Sequence, residues 1–218
     1  MMCKQVMSVY RYKIFFFTCG LVMAVSEIWK QWCLTFLLGQ GHYNWWHFPF
    51  QLCSIPMYIC LMFPWIHSEK LQKIMLVFLM DYGLLGGIFA FFDTSGMHYS
   101  YFPLTIHSFT WHILLIILGL AAGFSQLSEY SLRGYFHGTL LYLACCLIAT
   151  GFNVALHSLG NINLFYISPY LPMNQKVFRD IADYTGDPAG IFLYILASVT
   201  GAFCFHLLWR TMSADRQT

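Results

Sequence analysis

Apolar residues gather in six stretches, each long enough to cross a ~30 Å hydrocarbon core as a helix of roughly 20 residues. They fall near 13–38, 48–66, 72–92, 102–123, 136–157 and 188–210. Short connections bearing Gly or Pro separate them, except for a longer segment from Ser158 to Asp187 that reads as loop. The pattern predicts an all-α fold: one domain over residues 1–218, a polytopic membrane bundle of six transmembrane helices. Basic residues orient it. Lys4, Arg11 and Lys13 precede the first stretch, Lys70 and Lys73 follow the second, Arg133 follows the fourth, and Arg210 and Arg216 lie at the end. The opposite side has only Lys176 and Arg179, so the positive-inside rule puts the N- and C-termini in the cytoplasm.

Polar residues break the pattern at a few places, and in hydrocarbon such residues are functional leads because their burial is costly. The segment HFPFQLCSIPMY (His47–Tyr58) opens the second stretch with a histidine, a glutamine, a cysteine and a serine. Pro49 fits a first helical turn, and Pro56 is expected to bend the helix beside Cys53. Counting about 1.5 Å per residue, Cys53 lies roughly 8 Å below the outer end of its helix. His107 is at similar depth on the fourth stretch, and His112 roughly 15 Å down. Asn153 and Lys30 lie roughly 6 and 12 Å from their outer ends, with Glu27 and Asp81 near mid-membrane. The polar groups concentrate in the outer half, which predicts one polar cavity opening outward.

Composition agrees with a membrane protein: 59% of residues are hydrophobic, 19% aromatic and only 9% charged, against roughly 25% charged in a soluble domain. The net charge of +2 and its scatter exclude a nucleic-acid-binding surface. Eight cysteines without a CxxC pair argue for buried packing rather than a disulfide framework or a zinc site, and no metal or cofactor is expected. After Lys13 the apolar run is too long for a cleavable signal, so the first helix is read as an uncleaved anchor.

Helical spacing narrows the chemistry. Glu27 and Lys30 are three apart and can neutralise one another, either as a helix-orienting ion pair or as a substrate contact. Ser108 and His112 share a face, whereas His107 and His112 point about 140° apart. Thr150, Asn153 and His157 form a stripe that suits interhelical hydrogen bonding, although Asn153 is also a possible oxyanion donor. Read blandly, Cys53 is a small buried hydrophobe. Read chemically, it lies near a helix N-terminus where a thiolate is favoured, and it needs a base. His112 is the first choice for that base and His107 the second. Acyl transfer is the matching reaction class: the thiolate attacks an ester, a thioester forms, and the histidine relays the proton.

Several motifs together carry a family resemblance over nearly the whole chain. These are Glu27 and Lys30, PFQLCS (Pro49–Ser54), YGLLGG after Asp81, and SFTWH (Ser108–His112). They continue with Asn153, Gly160-Asn161-Ile162-Asn163, Tyr166, Pro169 and GDPAGIFLY. The chain resembles the YwaF-type six-helix integral membrane proteins of bacteria. That family is similar to a eukaryotic transmembrane acyltransferase that remodels ether phospholipids through a cysteine–histidine pair, and more distantly to androgen-induced membrane fatty-acid-ester hydrolases.

The resemblance implies Cys53 as nucleophile and a histidine of the fourth helix as base. It also implies a membrane lipid or fatty-acyl ester as substrate and a bacterial plasma membrane as location. The candidate substrate-binding groups are Glu27, Lys30, Gln51, Asn153 and Asn163. Two other classes stay in view. One is a substrate-binding membrane subunit of a vitamin or small-molecule uptake transporter, although Ala24 lacks the AxxxA partner expected of one. The other is a lipid or peptide sensor using the aromatic segment Tyr43–Phe50, whose Trp45 and Trp46 equally suit an interfacial belt.

Overall fold

The computed structural model of the chain describes residues 2–215, with side chains from Tyr10 onward; Arg216 lies outside the described residues. Every regular element among them is helical. Helix α1 (Met2–Trp32) continues through a π-helical turn (Cys33–Leu38). The short α2 (Ile55–Met62) is flanked by 3-10 turns, Leu52–Ser54 and Phe63–Trp65. Next, α3 (Glu69–Phe78) passes through a π-turn (Leu79–Gly83) into α4 (Leu84–Phe89). Then come α5 (Phe102–Phe124), α6 (Leu132–Leu156), α7 (Lys176–Thr185) and α8 (Asp187–Ala214).

Among the described residues five helices are long and apolar enough to cross a membrane: Tyr10–Leu38, Glu69–Phe89, Phe102–Phe124, Leu132–Leu159 and Asp187–Ala214. The stretch expected to be the second span falls short. Its helical part is Leu52–Trp65, about 21 Å at 1.5 Å per residue. Proline geometry explains why. A residue before proline avoids the α region, and Phe48 is extended at φ −53°, ψ 130°. Gln51 is extended too, at φ −87°, ψ 164°. Helix therefore begins only after Gln51. Pro56 sits in the first turn of α2, where its missing N–H costs nothing, and bends no helix.

α2 returns antiparallel along α1. A Cβ on Gly20 would lie 2.8 Å from the Leu61 nitrogen, so the glycine lets the two backbones meet. Further along the pair, Phe16 and Phe63 meet edge to face at 5.3 Å. On the other side of the bundle Tyr82 stacks on Tyr142 at 4.5 Å and donates a 2.9 Å hydrogen bond to Thr139 Oγ1, which fixes the π-turn against α6. Gly123 of α5 lies against the ring of Trp209. Ser68 and Ser131 cap α3 and α6 by accepting from Leu71 and Gly134 N–H groups.

The segment Ser158–Asp187 is more structured than a loop. It holds α7, which packs on α8 through Phe178 against Tyr194 and Ala182 against Gly190. Ahead of α7 it pushes Ile162, Leu164, Phe165 and Ile167 into the core.

Candidate functional site

The end of the bundle at which α1 finishes holds a polar cluster that grows from one face of that helix. Lys30 Nζ meets Glu27 Oε2 at 2.8 Å, the ion pair expected from their spacing. Gln31, four residues beyond Glu27, donates to Glu27 Oε1 at 2.7 Å and to the His47 carbonyl at 2.6 Å. Glu27 is only 4% exposed. Its carboxylate thus has a cation on one oxygen and an amide on the other, which is what a buried charge needs. Gln31 also fastens α1 to the 3-10 turn Trp45–His47.

From Lys30 the cluster passes to α5. The ammonium lies 5.9 Å from the centre of the Trp111 ring, within cation–π range. Trp111 Nε1 donates to the Cys53 carbonyl at 3.0 Å. His107, one turn back on the same face, packs between Trp29 and Trp111 at 5.8 and 5.5 Å, and its Nε2 is buried without a partner. His112 sits elsewhere around α5. Its Nδ1 is 2.8 Å from the Ser108 carbonyl and its ring meets the edge of Phe91. A carbonyl only accepts, so Nδ1 carries the proton and the neutral ring presents Nε2 as a lone pair.

Cys53 lies in the 3-10 turn just ahead of α2, half-buried, with the Lys30–Glu27 pair within electrostatic reach. No imidazole among the described residues hydrogen-bonds its thiol. Tyr58 donates to the Pro49 carbonyl at 2.6 Å, folding the extended segment back onto α2 and setting the height of the turn.

Two ionisable groups of this region, His47 and Tyr99, lie outside the five membrane-length helices. Burial, helped by the Lys30 charge, lowers His47 to about 4. Burial, then Cys53 and Glu27, pushes the Tyr99 phenol up to about 12. The two rings lie 5.8 Å apart. A groove of about 500 Å³ opens beside Tyr99 on the first turns of α5, lined by Phe102, Ile106 and Phe109. That volume is within the usual range for a ligand site.

The other expected site residues do not join this cluster. Gln51 accepts from Phe165 N–H at 2.8 Å and donates to the Asn163 carbonyl at 3.2 Å. Asn153 accepts from Leu164 N–H at 2.8 Å and donates to its carbonyl at 3.1 Å. Asn163 accepts from Ser168 N–H and donates to Asn174. The three amides are engaged in clamping one inserted loop, in which Phe165 and Tyr166 have φ of 57° and 58°. Irregular backbone packed into a core needs its N–H and C=O groups satisfied by protein. Both amide atoms of Asn153 are engaged by Leu164, with one N–H hydrogen of Nδ2 beyond these two bonds. Its neighbours in the stripe bond locally: Thr150 donates to the Cys146 carbonyl, and His157 Nδ1 meets that of Val154.

The single cavity expected across five helices is therefore divided. Glu27, Lys30, Cys53, His107 and Trp111 form one cluster, the amide clamp a second, and Asp81 pairs with His206 elsewhere. Spacing alone would have added Gln31 and Trp111, each four residues from a candidate. Nothing in the sequence pattern pointed to Tyr99 or His206. Among the described residues no group of three His, Cys, Asp or Glu side chains is placed to hold a metal ion.

The clamp gives a testable cost. Asn153→Leu should orphan the buried N–H and C=O of Leu164 and destabilise the protein by about 3 kcal/mol. Thermal unfolding of detergent-solubilised protein checks this, and an unchanged Tm would mean that the loop stays in place without the amide.

The fold and the cluster together define a membrane-embedded helical bundle with a buried charge pair beside a half-buried cysteine. No known family, curated protein or solved structure matches the chain.

Proposed function

We propose that this chain is a membrane-embedded lipid acyltransferase or lipid-ester hydrolase of the YwaF type, with Cys53 as nucleophile and His107 as base. What carries the reading is the Trp111 indole, which reaches the Cys53 backbone with its N–H while its ring packs on His107. Lys30, paired with Glu27 and lying over the same Trp111 ring, brings a positive charge to this side of the cluster. The lone pair on His112 Nε2 keeps that residue as the alternative base. In the reaction, Sγ attacks the ester carbonyl and its proton passes to the imidazole. The tetrahedral intermediate collapses to a thioester as the imidazolium protonates the leaving alcohol. Water then releases a fatty acid, or a second lipid hydroxyl takes the acyl group. The acyl chain lies in the groove beside Tyr99.

The accompanying topology is six crossings of a bacterial plasma membrane with both termini cytoplasmic. The extended segment ahead of Leu52 completes the second crossing. In its favour, α2 returns along α1 towards the end that carries Arg11 and Lys13.

A second reading is a non-catalytic binding subunit. It is favoured by the absence of a thiol–imidazole hydrogen bond and by Gln31 Oε1, buried without a partner and free for a ligand. One experiment separates the two. Purified protein is incubated with a panel of lipid esters and its intact mass is measured. An acyl adduct on wild type, absent from Cys53→Ser, is expected. Full turnover by Cys53→Ala would end the acyl-enzyme reading, and ligand retention without any adduct would select the binding subunit.

A further inference from the structure

Asp81 and His206 are both 0% exposed and take no part in the Cys53 cluster. The π-turn Leu79–Gly83 aims Asp81 at α8, where Oδ2 meets His206 Nδ1 at 2.8 Å. On the other side of the ring, His206 Nε2 lies 3.0 Å from the Ser131 carbonyl at the start of α6. Asp81 Oδ1 is buried with no partner.

The hydrogen-bond inventory fixes the proton count. A carbonyl cannot donate, so Nε2 must carry a hydrogen. Nδ1 faces a carboxyl oxygen, and a 2.8 Å contact there needs one hydrogen between them, on either atom. The unit therefore holds one proton between Asp81 and His206 and is neutral overall. Removing that proton leaves a bare buried carboxylate. Adding another puts a net positive charge in the same place. Both are disfavoured in a buried apolar setting.

Among the described residues no second charged group bonds to either side chain. Of the facing groups, Tyr135 on α6 packs 5.5 Å from His206 and gives its hydroxyl to the Val199 carbonyl. Tyr82, beside Asp81, gives its own to Thr139. From the α5–α6 connection, Ser125 and Ser128 bond to the Ala122 carbonyl, and Glu129 is occupied by the Ser131 hydroxyl at 2.6 Å. From α8, Trp209 donates to the Met80 carbonyl at 3.0 Å, one residue from Asp81.

We propose that Asp81 and His206 form a binding site for one exchangeable proton, which fastens α8 to the π-turn and to the start of α6. Losing that proton or gaining a second loosens α8, so the packing of this end of the bundle is linked to pH. π-turns within α-helices are frequent at functional sites, and here the turn is what brings the carboxyl to the ring.

The test compares unfolding across pH for detergent-solubilised wild type and Asp81→Asn. The asparagine can donate from Nδ2 to His206 Nδ1, which keeps the contact and leaves no proton to lose on the alkaline side, although the ring can still gain one in acid. Wild type should lose Tm on the alkaline side relative to Asp81→Asn while both lose it on the acid side, with hydrogen exchange of α8 rising at the same pH values. Parallel curves would overturn the proposal. If Asp81→Asn does not fold, nitrogen NMR of ring-labelled wild type decides, with His206 assigned through His206→Gln. A change in the His206 ring-nitrogen signals across the pH series, tracked by α8 exchange, supports the site. A flat His206 signal overturns it.

Discussion

Glu27→Ala should destabilise the bundle by about 3 kcal/mol, read as a fall in Tm of roughly 10 °C for a chain of this length. The substitution removes the only carboxylate bonded to Lys30 and one of the two acceptors of Gln31 Nε2. Lys30 is left with a ring face and no counter-charge, at 17% side-chain exposure. Part of that cost is recoverable, because a lysine stem lets the ammonium reach towards the interface. Lys30→Ala lacks this escape, since the short Glu27 side chain cannot leave its site, and it should cost at least as much. The informative variant is the double one, Glu27→Gln with Lys30→Met. It keeps the amide network and the volume and leaves no charge behind, so it should recover most of the lost Tm. Additive losses in the double variant would mean that the pair stabilises through packing and not through charge. A double variant that is stable but binds no lipid ester would instead assign the pair to the substrate.

The parts of the site that were legible in the sequence are the local ones. Glu27 and Lys30 meet because three residues make nearly one helical turn, whatever the helix packs against. The divergence of His107 and His112 follows from the same geometry. The second apolar stretch misled for a physical reason. Whether Pro49 and Pro56 start a helix or bend it depends on where that helix begins, and Gln51 settles this through bonds to residues more than a hundred positions away. Periodicity is blind to such bonds. Nor could it show that Asn153 and Asn163 clamp an inserted loop, because such a clamp and a ligand site use the same amides. Asp81 stood out as a charge in an apolar run, but its partner is 125 residues away and looked like any other histidine. Helix α7 carries Phe178 and Ala182 on one face, a readable pattern, yet it is too short to register against five membrane-length helices.

On the proposed mechanism, His107→Ala should lower the rate of Cys53 acylation by about a hundredfold to ten-thousandfold, the range for loss of a positioned general base. His112→Ala should lower it less than tenfold. The difference rests on α5 geometry: His107 shares the Trp111 face, while His112 is turned towards Phe91. His107→Ala opens a space between Trp29 and Trp111, so part of any effect could be structural. The pH dependence of acylation separates the two causes. Loss of the base makes the rate follow the free thiol and rise with pH into the alkaline range, where wild type has already levelled off. A purely structural loss scales the rate equally at every pH. Trp111→Phe supplies the matching control, because it keeps an aromatic ring against His107 and deletes the hydrogen bond to the Cys53 carbonyl. It should slow acylation with no change in the shape of the pH profile. Intact-mass time courses with one activated lipid ester measure all three variants. The roles of the two histidines would have to be exchanged if His112→Ala lost the neutral-pH rate while His107→Ala kept it.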